Sequence, residues 1–186
     1  MFVLPPGLYG IVEPALGDPV EQARMLADEG AAAVQLRCKT FSSEQLAAVA
    51  AACRGLSIPL IVNDDVHIAR LFNLPVHIGQ DDGPDPEIPF GRSTHTVEQA
   101  ARPGGAAYIG FGPVFGTVSK DSPWSARGVG LLGEAVRASP VPLVAIGGIT
   151  EENLPSVRAT GVHGWAVIGA VWRAPDPRAR IRALRG

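Results

Sequence analysis

The sequence predicts a compact (β/α)8 TIM barrel, and three observations predict it. Eight short apolar runs recur at regular spacing, helical patterns lie between most of them, and strand and helix alternate throughout. Alternation of this kind calls for a parallel sheet with helical crossovers, and eight repeats favour closure into a barrel over a doubly wound open sheet. The expected strands are 8–13, 32–37, 59–63, 76–79, 91–94, 107–110, 143–146 and 165–168. After the first, residues 19–30 place Val20, Ala23, Leu26 and Ala27 at helical spacing. After the second, Ser42 or Ser43 followed by Glu44 can begin a helix over 43–55 with Leu46, Val49 and Ala50 as its apolar stripe. Asp64 or Asp65 can cap a helix over 66–72. The fourth helix is expected to be vestigial, because 186 residues are few for this fold and its loops must be minimal. Thr96 can cap the next helix, with Val97, Ala100 and Ala101 on its apolar side. Helices over 131–138, 151–160 and 177–184 complete the pattern. Residues 111–128 carry three glycines, two prolines and no sustained periodicity, and such a connection is expected to be a lid or binding loop.

One domain over residues 1–186 is expected from the length. Hydrophobic content of 46%, charged content of 18% and a net charge of −2 describe a globular chain and exclude a generic nucleic-acid binder. Arg178, Arg180, Arg182 and Arg185 read as the solvated face of a last helix. Cys38 and Cys53 lack metal-ligand spacing and fit a reduced, cytoplasmic setting. No leader or apolar run of membrane-spanning length is present, so neither secretion nor membrane insertion is expected.

The stretch Val34 to Thr40 is the most informative in the chain. Alternation along an extended strand puts Gln35, Arg37 and Lys39 on one face and Leu36 and Cys38 on the other. Two cations and an amide along a buried face need an anionic partner, either a polyphosphate or a cluster of carboxylates; a solvated edge strand is the plainer alternative. Barrel chemistry collects at the C-terminal strand ends. There the sequence places Asn63 and Asp64, then His77, Gln80, Asp81 and Asp82, then Ser93 and His95, then Thr117, Ser119 and Lys120, and finally Gly147, Gly148 and Gly169. Asp64 and Asp82 leave adjacent strands and suit a hard ion such as Mg2+, against the plainer readings of helix cap and loop residue. Gly147 and Gly148 suit either close approach to a phosphate or a tight turn. His77 is either a ligand contact or a satisfied core residue; His95 is either an acid–base group or a loop residue bonded to backbone; His67 and His163 read as surface. Trp165 and Trp172 read as packing residues, and Trp124 as either a cover for an aromatic substrate or a loop anchor.

In combination the motifs resemble the thiamine-phosphate synthase family. They are Gln35-Leu-Arg-Cys-Lys39, Asn63-Asp64, Val76-His-Ile-Gly-Gln-Asp-Asp82, Gly91-Arg-Ser-Thr-His95, Gly112-Pro-Val-Phe-Gly-Thr-Val-Ser-Lys120, Gly128-Val and Ala145-Ile-Gly-Gly-Ile149, and the likeness runs from Leu8 to about Val171. The resemblance implies a transferase that joins a hydroxymethylpyrimidine diphosphate to a thiazole phosphate with release of diphosphate. It implies that Gln35, Leu36, Arg37, Cys38, Lys39 and Asn63 hold the pyrimidine diphosphate, with His77 beside them. Asp64 and Asp82 would bind Mg2+, and Arg37, Lys39, Ser93 and Lys120 would act on the diphosphate. Thr117, Val118, Ser119, Gly148, Ile168 and Gly169 would hold the thiazole phosphate.

Three departures accompany the likeness. Asp65 stands where many members carry Arg, and Gly169 where serine is common. Little precedes Leu8, so another element, or a partner subunit in a homo-oligomer, is expected to cover the barrel floor. Two rival readings remain at this point: a thiazole tautomerase using His95, which would be expected to lack the cation row and the aspartates, and a non-catalytic barrel that binds thiamine precursors.

Overall fold

The computed structural model describes residues 2–80, 82–116 and 124–186, and in it eight parallel strands close into a barrel in chain order. The strands are β1 (Gly7–Val12), β2 (Ala33–Leu36), β3 (Leu60–Asn63), β4 (Val76–Ile78), β5 (Phe90–Thr94), β6 (Tyr108–Phe111), β7 (Leu143–Ile146) and β8 (Gly164–Val167). Around them run α1 (Pro19–Asp28), α2 (Ser43–Ala52), α3 (Val66–Phe72), α4 (Val97–Ala101), α5 (Gly128–Ala138), α6 (Leu154–Arg158), α7 (Gly169–Trp172) and α8 (Pro177–Arg185). None is long and apolar enough to cross a membrane.

Strand register divides the side chains into two sets. Tyr9 pairs with Ala33, Gln35 with Ile61, Asn63 with His77, His77 with Gly91, Gly91 with Tyr108, and Gly110 with Val144. With a side-chain period of two, these residues share the lumen face. Their neighbours in sequence, such as Val12, Leu36, Val62, Ile78 and Phe111, face outward and pack beneath the helices as a second, larger core. The lumen alternates bulk with void. Tyr9 and Tyr108 fill it, while Gly91 leaves room for the Tyr108 ring, and a Cβ at 91 would overlap that ring.

The helices start where the polar caps lie. Asp18 accepts from the Val20 and Glu21 amides, Ser42 forms a capping box with Gln45, and Thr96 forms one with Gln99. Asp65, not Asp64, caps α3 by accepting from the Ile68 amide at 2.9 Å, and it also accepts from the Ser43 hydroxyl at 3.0 Å. Asp64 is thereby spared for other work.

Among the described residues no helix joins β4 to β5. A polar clamp holds that connection instead. Arg92 projects outward from β5 with its side chain 12% exposed, pairs with Asp85 at 2.6 Å, donates to the Gln80 carbonyl at 3.3 Å and lies over Phe90. Asp85 in turn accepts from the Gly105 amide at 3.0 Å.

The structure corrects three of these expectations and adds to others. The second strand stops at Leu36, and Arg37 to Thr40 continue as loop and turn. The long-loop helix begins at Gly128 rather than 131, and the short helix α7 follows β8 without a separate periodic signal. Of the two covers expected for the floor, an element of the chain itself is seen: Phe2 packs on the Tyr108 ring and Leu4 is buried in the lumen cluster, with the Leu4 carbonyl bonded to His163 at 2.8 Å. His163 is therefore a structural bond rather than a surface residue. The C-terminal arginines lie on the solvated face of α8 as expected, and three of them are ion-paired there, Arg178 with Asp28 and Glu29, Arg182 with Glu29, and Arg180 with Glu151. Arg178 and Arg182 hold the Glu29 carboxyl below its ordinary range.

Gly91→Ala is expected to destabilise the barrel by about 1–3 kcal/mol, the usual range for forcing a methyl into a filled core. Urea unfolding checks it; a midpoint equal to that of the parent chain would mean that the Tyr108 ring can move aside.

Candidate active site

A hydrogen-bonded chain crosses the lumen beneath the C-terminal strand ends. Gln35 Nε2 donates to the Tyr9 hydroxyl at 3.1 Å, the Tyr9 and Tyr108 hydroxyls meet at 2.7 Å, Tyr108 reaches His77 Nδ1 at 3.0 Å, and His77 Nε2 reaches the Ser93 hydroxyl at 3.1 Å. One assignment uses every hydrogen along the chain. Tyr9 donates to Tyr108, Tyr108 donates to Nδ1, and a neutral His77 carries its proton on Nε2 and donates it to Ser93. Burial pushes the Tyr9 and Tyr108 hydroxyls far above the ordinary tyrosine range, so both stay protonated. Above this chain opens a cavity of about 380 Å3, lined on this side by Gln35, Arg37, Asn63, His77 and Ser93.

The cation row has a partner of its own. The Arg37 guanidinium is ion-paired with Glu13, with the side chains 13% and 21% exposed. The anion inferred from the row is therefore supplied in part by the protein, and Arg37 lines the cavity as a compensated group. Lys39 stands half-exposed with Nζ 3.7 Å from the Asp64 carboxylate. Asp64 adopts φ +64°, which is unusual for a residue other than glycine, and its amide donates to the His77 carbonyl at 2.9 Å. Two residues past His77, the Gly79 amide donates to the Asp82 carboxylate. Backbone bonds thus tether both aspartates to the end of β4. No cluster of three or more acidic, histidine or cysteine ligands occurs among the described residues. Two carboxylates fit the pattern in which a Mg2+ ion completes its shell with water and phosphate oxygens.

The opposite side of the cavity is made of loop backbone. The Val114 and Phe115 amides donate to the Ile146 and Gly147 carbonyls at 2.8 and 3.0 Å. A Cβ on Gly147 would strike Pro113, and one on Gly148 would strike the 115–116 backbone; both glycines have positive φ. Close packing of two loops accounts for the Gly-Gly pair, and the same residues line the cavity together with Ile168, Gly169 and Arg173. Among the described residues the amides of Gly147, Gly148, Gly169 and Ala170 donate to no protein acceptor.

A second hollow of about 220 Å3 adjoins the first through Ser93 and is lined by Gln80, Asp82, His95 and Trp124. Here Trp124 stacks on His95 at 5.1 Å, and Arg127 lies over the indole at 4.6 Å. His95 Nδ1 lies 2.7 Å from the Gly112 carbonyl, so the imidazole is tied to the loop after β6.

Of the residues singled out in the sequence, Gln35, Arg37, Asn63, His77, Ser93, Gly148, Ile168 and Gly169 meet at the main cavity, and Asp82 at the adjoining hollow. Lys39 and Asp64 lie beside each other at the strand ends. Leu36 and Cys38 do not reach the cavity; both are buried in the outer core, because alternation turns them away from the lumen. Asp81, Thr117, Val118, Ser119 and Lys120 lie outside the described residues. Sequence reasoning missed Glu13, Tyr9, Tyr108 and Arg173. Strand parity could have revealed Tyr9, which is in phase with Gln35 across the β1–β2 register.

Tyr108→Phe is expected to cost about 1–3 kcal/mol of stability, because it removes the acceptor of the Tyr9 hydroxyl proton and the hydroxyl that meets His77 Nδ1. Chemical unfolding measures this, and a neutral result would contradict the chain of bonds. A second expectation concerns alkali. Burial first, then Glu13 and Cys53, push the Cys38 thiol from its ordinary value of 9.0 up to about 12. A pKa raised by folding adds stability that is whole below the unfolded value and is lost as pH climbs through the folded one. The melting temperature should therefore fall between pH 9 and 12. The fall should be shallower in Cys38→Ala, and an equal slope in both proteins would refute the assignment.

Comparison with known proteins agrees with this geometry. The family model for thiamine monophosphate synthase matches residues 8–171. A thiamine-phosphate synthase from Anaeromyxobacter dehalogenans is 40% identical, with 96% of this chain and 86% of the relative covered. One from Chlorobium phaeovibrioides is 40% identical over 99% of this chain and 95% of the relative. The solved thiamine phosphate pyrophosphorylase from Pyrococcus furiosus superposes with a TM-score of 0.87 at 33% identity, covering 96% and 93% of the two chains. The chain belongs to the thiamine monophosphate synthase family.

Proposed function

We propose that this chain is a single-domain, Mg2+-dependent thiamine-phosphate synthase of the reducing cytoplasm, which joins hydroxymethylpyrimidine diphosphate to thiazole phosphate. The observation that carries the reading is the division of the cavity and the strand ends around it. A neutral, hydrogen-bonding floor, a carboxylate and cation rim, and a wall of unengaged amides each suit one part of the substrate pair. Family membership supports the same reaction. The tautomerase reading is not favoured, since the relatives at about 40% identity are named synthases and the His95 imidazole is committed to holding a loop.

In this reading the carbon–oxygen bond from the pyrimidine methylene to diphosphate breaks first, and the bonding electron pair leaves with diphosphate. The electron-rich aminopyrimidine bears the positive charge left on the methylene carbon. The thiazole nitrogen then supplies the pair for the new carbon–nitrogen bond, so no protein nucleophile is needed. Gln35, Asn63 and His77 hold the pyrimidine edge, and the fixed tautomer of His77 keeps Ser93 as an acceptor toward the ring and a donor toward diphosphate. Lys39, Ser93 and Lys120 receive the departing group. Arg37, already balanced by Glu13, contributes its remaining N–H groups more than its charge. A Mg2+ ion held by Asp64 and Asp82 would supply neutralisation of the negative charge that builds on diphosphate. Gly147, Gly148 and Gly169 offer amides to the thiazole phosphate.

Purified protein given both substrates should release diphosphate only with Mg2+. Asp64→Ala and Asp82→Ala should each lower turnover by about 10²-fold or more, with an unchanged circular dichroism spectrum. Metal-independent release, or full activity in either variant, would overturn the metal assignment. Lys120→Ala should lower kcat more than it raises KM, and a pure KM effect would remove it from the leaving-group role.

A further inference from the structure

The main cavity is lined by two arginines among the described residues, and their circumstances differ. Arg37 is paired with Glu13 and mostly buried. Arg173 is exposed and makes no ion pair or hydrogen bond through its side chain among the described residues. An unpaired surface arginine is ordinary in itself. Arg24, Arg70, Arg92, Arg178, Arg180 and Arg182, however, each have a carboxylate within 4.0 Å. The location of Arg173 is what carries the argument.

The backbone at this point is fixed from two sides. Trp172 is buried, and its indole N–H donates to the Ile11 carbonyl at 2.7 Å, which ties the end of α7 to β1. The Arg173 amide donates to the Gly169 carbonyl at 3.2 Å, so residue 173 stands one turn above Gly169. Residues four apart on a helix share a face. That face here is the cavity, and both residues line it. Gly169 brings no side-chain donor. Gly147, Gly148 and Ala170 bring unengaged amides but no charge. This end of the cavity therefore has unengaged backbone donors and, among the described residues, one side-chain cation, whereas the Arg37 end already contains the Glu13 carboxylate, which would repel a phosphate.

We propose that the Arg173 guanidinium binds the phosphate monoester of the nucleophilic substrate, alongside the amides of the β7 and β8 loops. The proposal rests on the synthase reading for the identity of that substrate. Guanidinium pairs with phosphate through two parallel N–H bonds, a geometry that lysine cannot copy.

Steady-state kinetics and calorimetry test it together. Arg173→Ala should raise KM for thiazole phosphate about tenfold or more, the loss typical of a charge-assisted bond, and leave KM for the pyrimidine diphosphate in place. Arg173→Lys should fall between. The melting temperature of both variants should match the parent, since the side chain makes no ion pair or hydrogen bond among the described residues. Titration of thiazole phosphate alone into the protein should show the same loss of affinity in Arg173→Ala. Titration of the unphosphorylated thiazole alcohol should show none. Equal thiazole phosphate affinity in parent and variant would overturn the proposal, as would a KM rise confined to the pyrimidine diphosphate. If the parent protein released no diphosphate, the synthase reading would fall, and the thiazole phosphate titration would still decide the role of Arg173.

Discussion

The contact between the Tyr9 and Tyr108 hydroxyls organises this molecule. It sits in the lumen, with Phe2 and Leu4 packed beneath and both tyrosines buried. A buried hydroxyl without a partner costs more than a paired one contributes, so each group along the chain must be answered by the next. Gln35, Tyr9, Tyr108, His77 and Ser93 come from β2, β1, β6, β4 and β5. The bonds therefore span the barrel and fix the relative heights of five strands. All five residues of this network line the cavity, and the bonds between them hold Gln35, His77 and Ser93 in fixed rotamers at its wall. Preorganisation of this kind lets a site select a ring by its hydrogen-bonding edge without rearranging when the ligand arrives.

Such a chain needs space, and small residues across the sheet provide it. Gly91 yields to the Tyr108 ring and Gly110 faces the His77 ring. Glycines in strands usually weaken them. Here they are the complement of two tyrosines, and the sheet gains a polar floor in return for lost strand propensity.

Much of the fold could be read from the sequence because it depends on local periodicity. All eight strands lie within a residue or two of where alternation and apolar runs put them, and the connection from β4 to β5, where chain economy predicts a vestigial helix, has no helix among the described residues. What failed were features that depend on contacts distant in sequence. Nothing local says that Phe2 and Leu4 fold under the barrel, that Arg92 clamps the connection after β4, or that Glu13 answers Arg37 across 24 positions. The site was legible to the same extent. Asn63, His77, Ser93 and the Gly147-Gly148 pair were found because they end strands. Leu36 and Cys38 were assigned to the site along with their neighbours in the motif, although parity alone turns them outward. The Gly-Gly pair has a plainer cause than ligand approach, since two loop backbones pack against each other there.

The neutral floor and the charged rim divide the physical work. A floor of paired, protonated hydroxyls, with the imidazole neutral in the assignment that uses every hydrogen, carries no net charge. In the proposed reaction a carbocation forming over such a floor would meet oriented dipoles, and among the described residues no fixed cation faces it from below. The charges sit instead at the strand ends, on Lys39, Asp64 and Asp82, where a departing anion would gather. Pairing Glu13 with Arg37 sharpens this separation, because it cancels the one guanidinium that sits on the side of the floor. Charge separation in a reaction that expels an anion is favoured when the site is itself polarised along the breaking bond. In this barrel that polarisation follows from strand parity, which sends neutral donors into the lumen, and from strand length, which leaves the ionic groups on the loops just beyond.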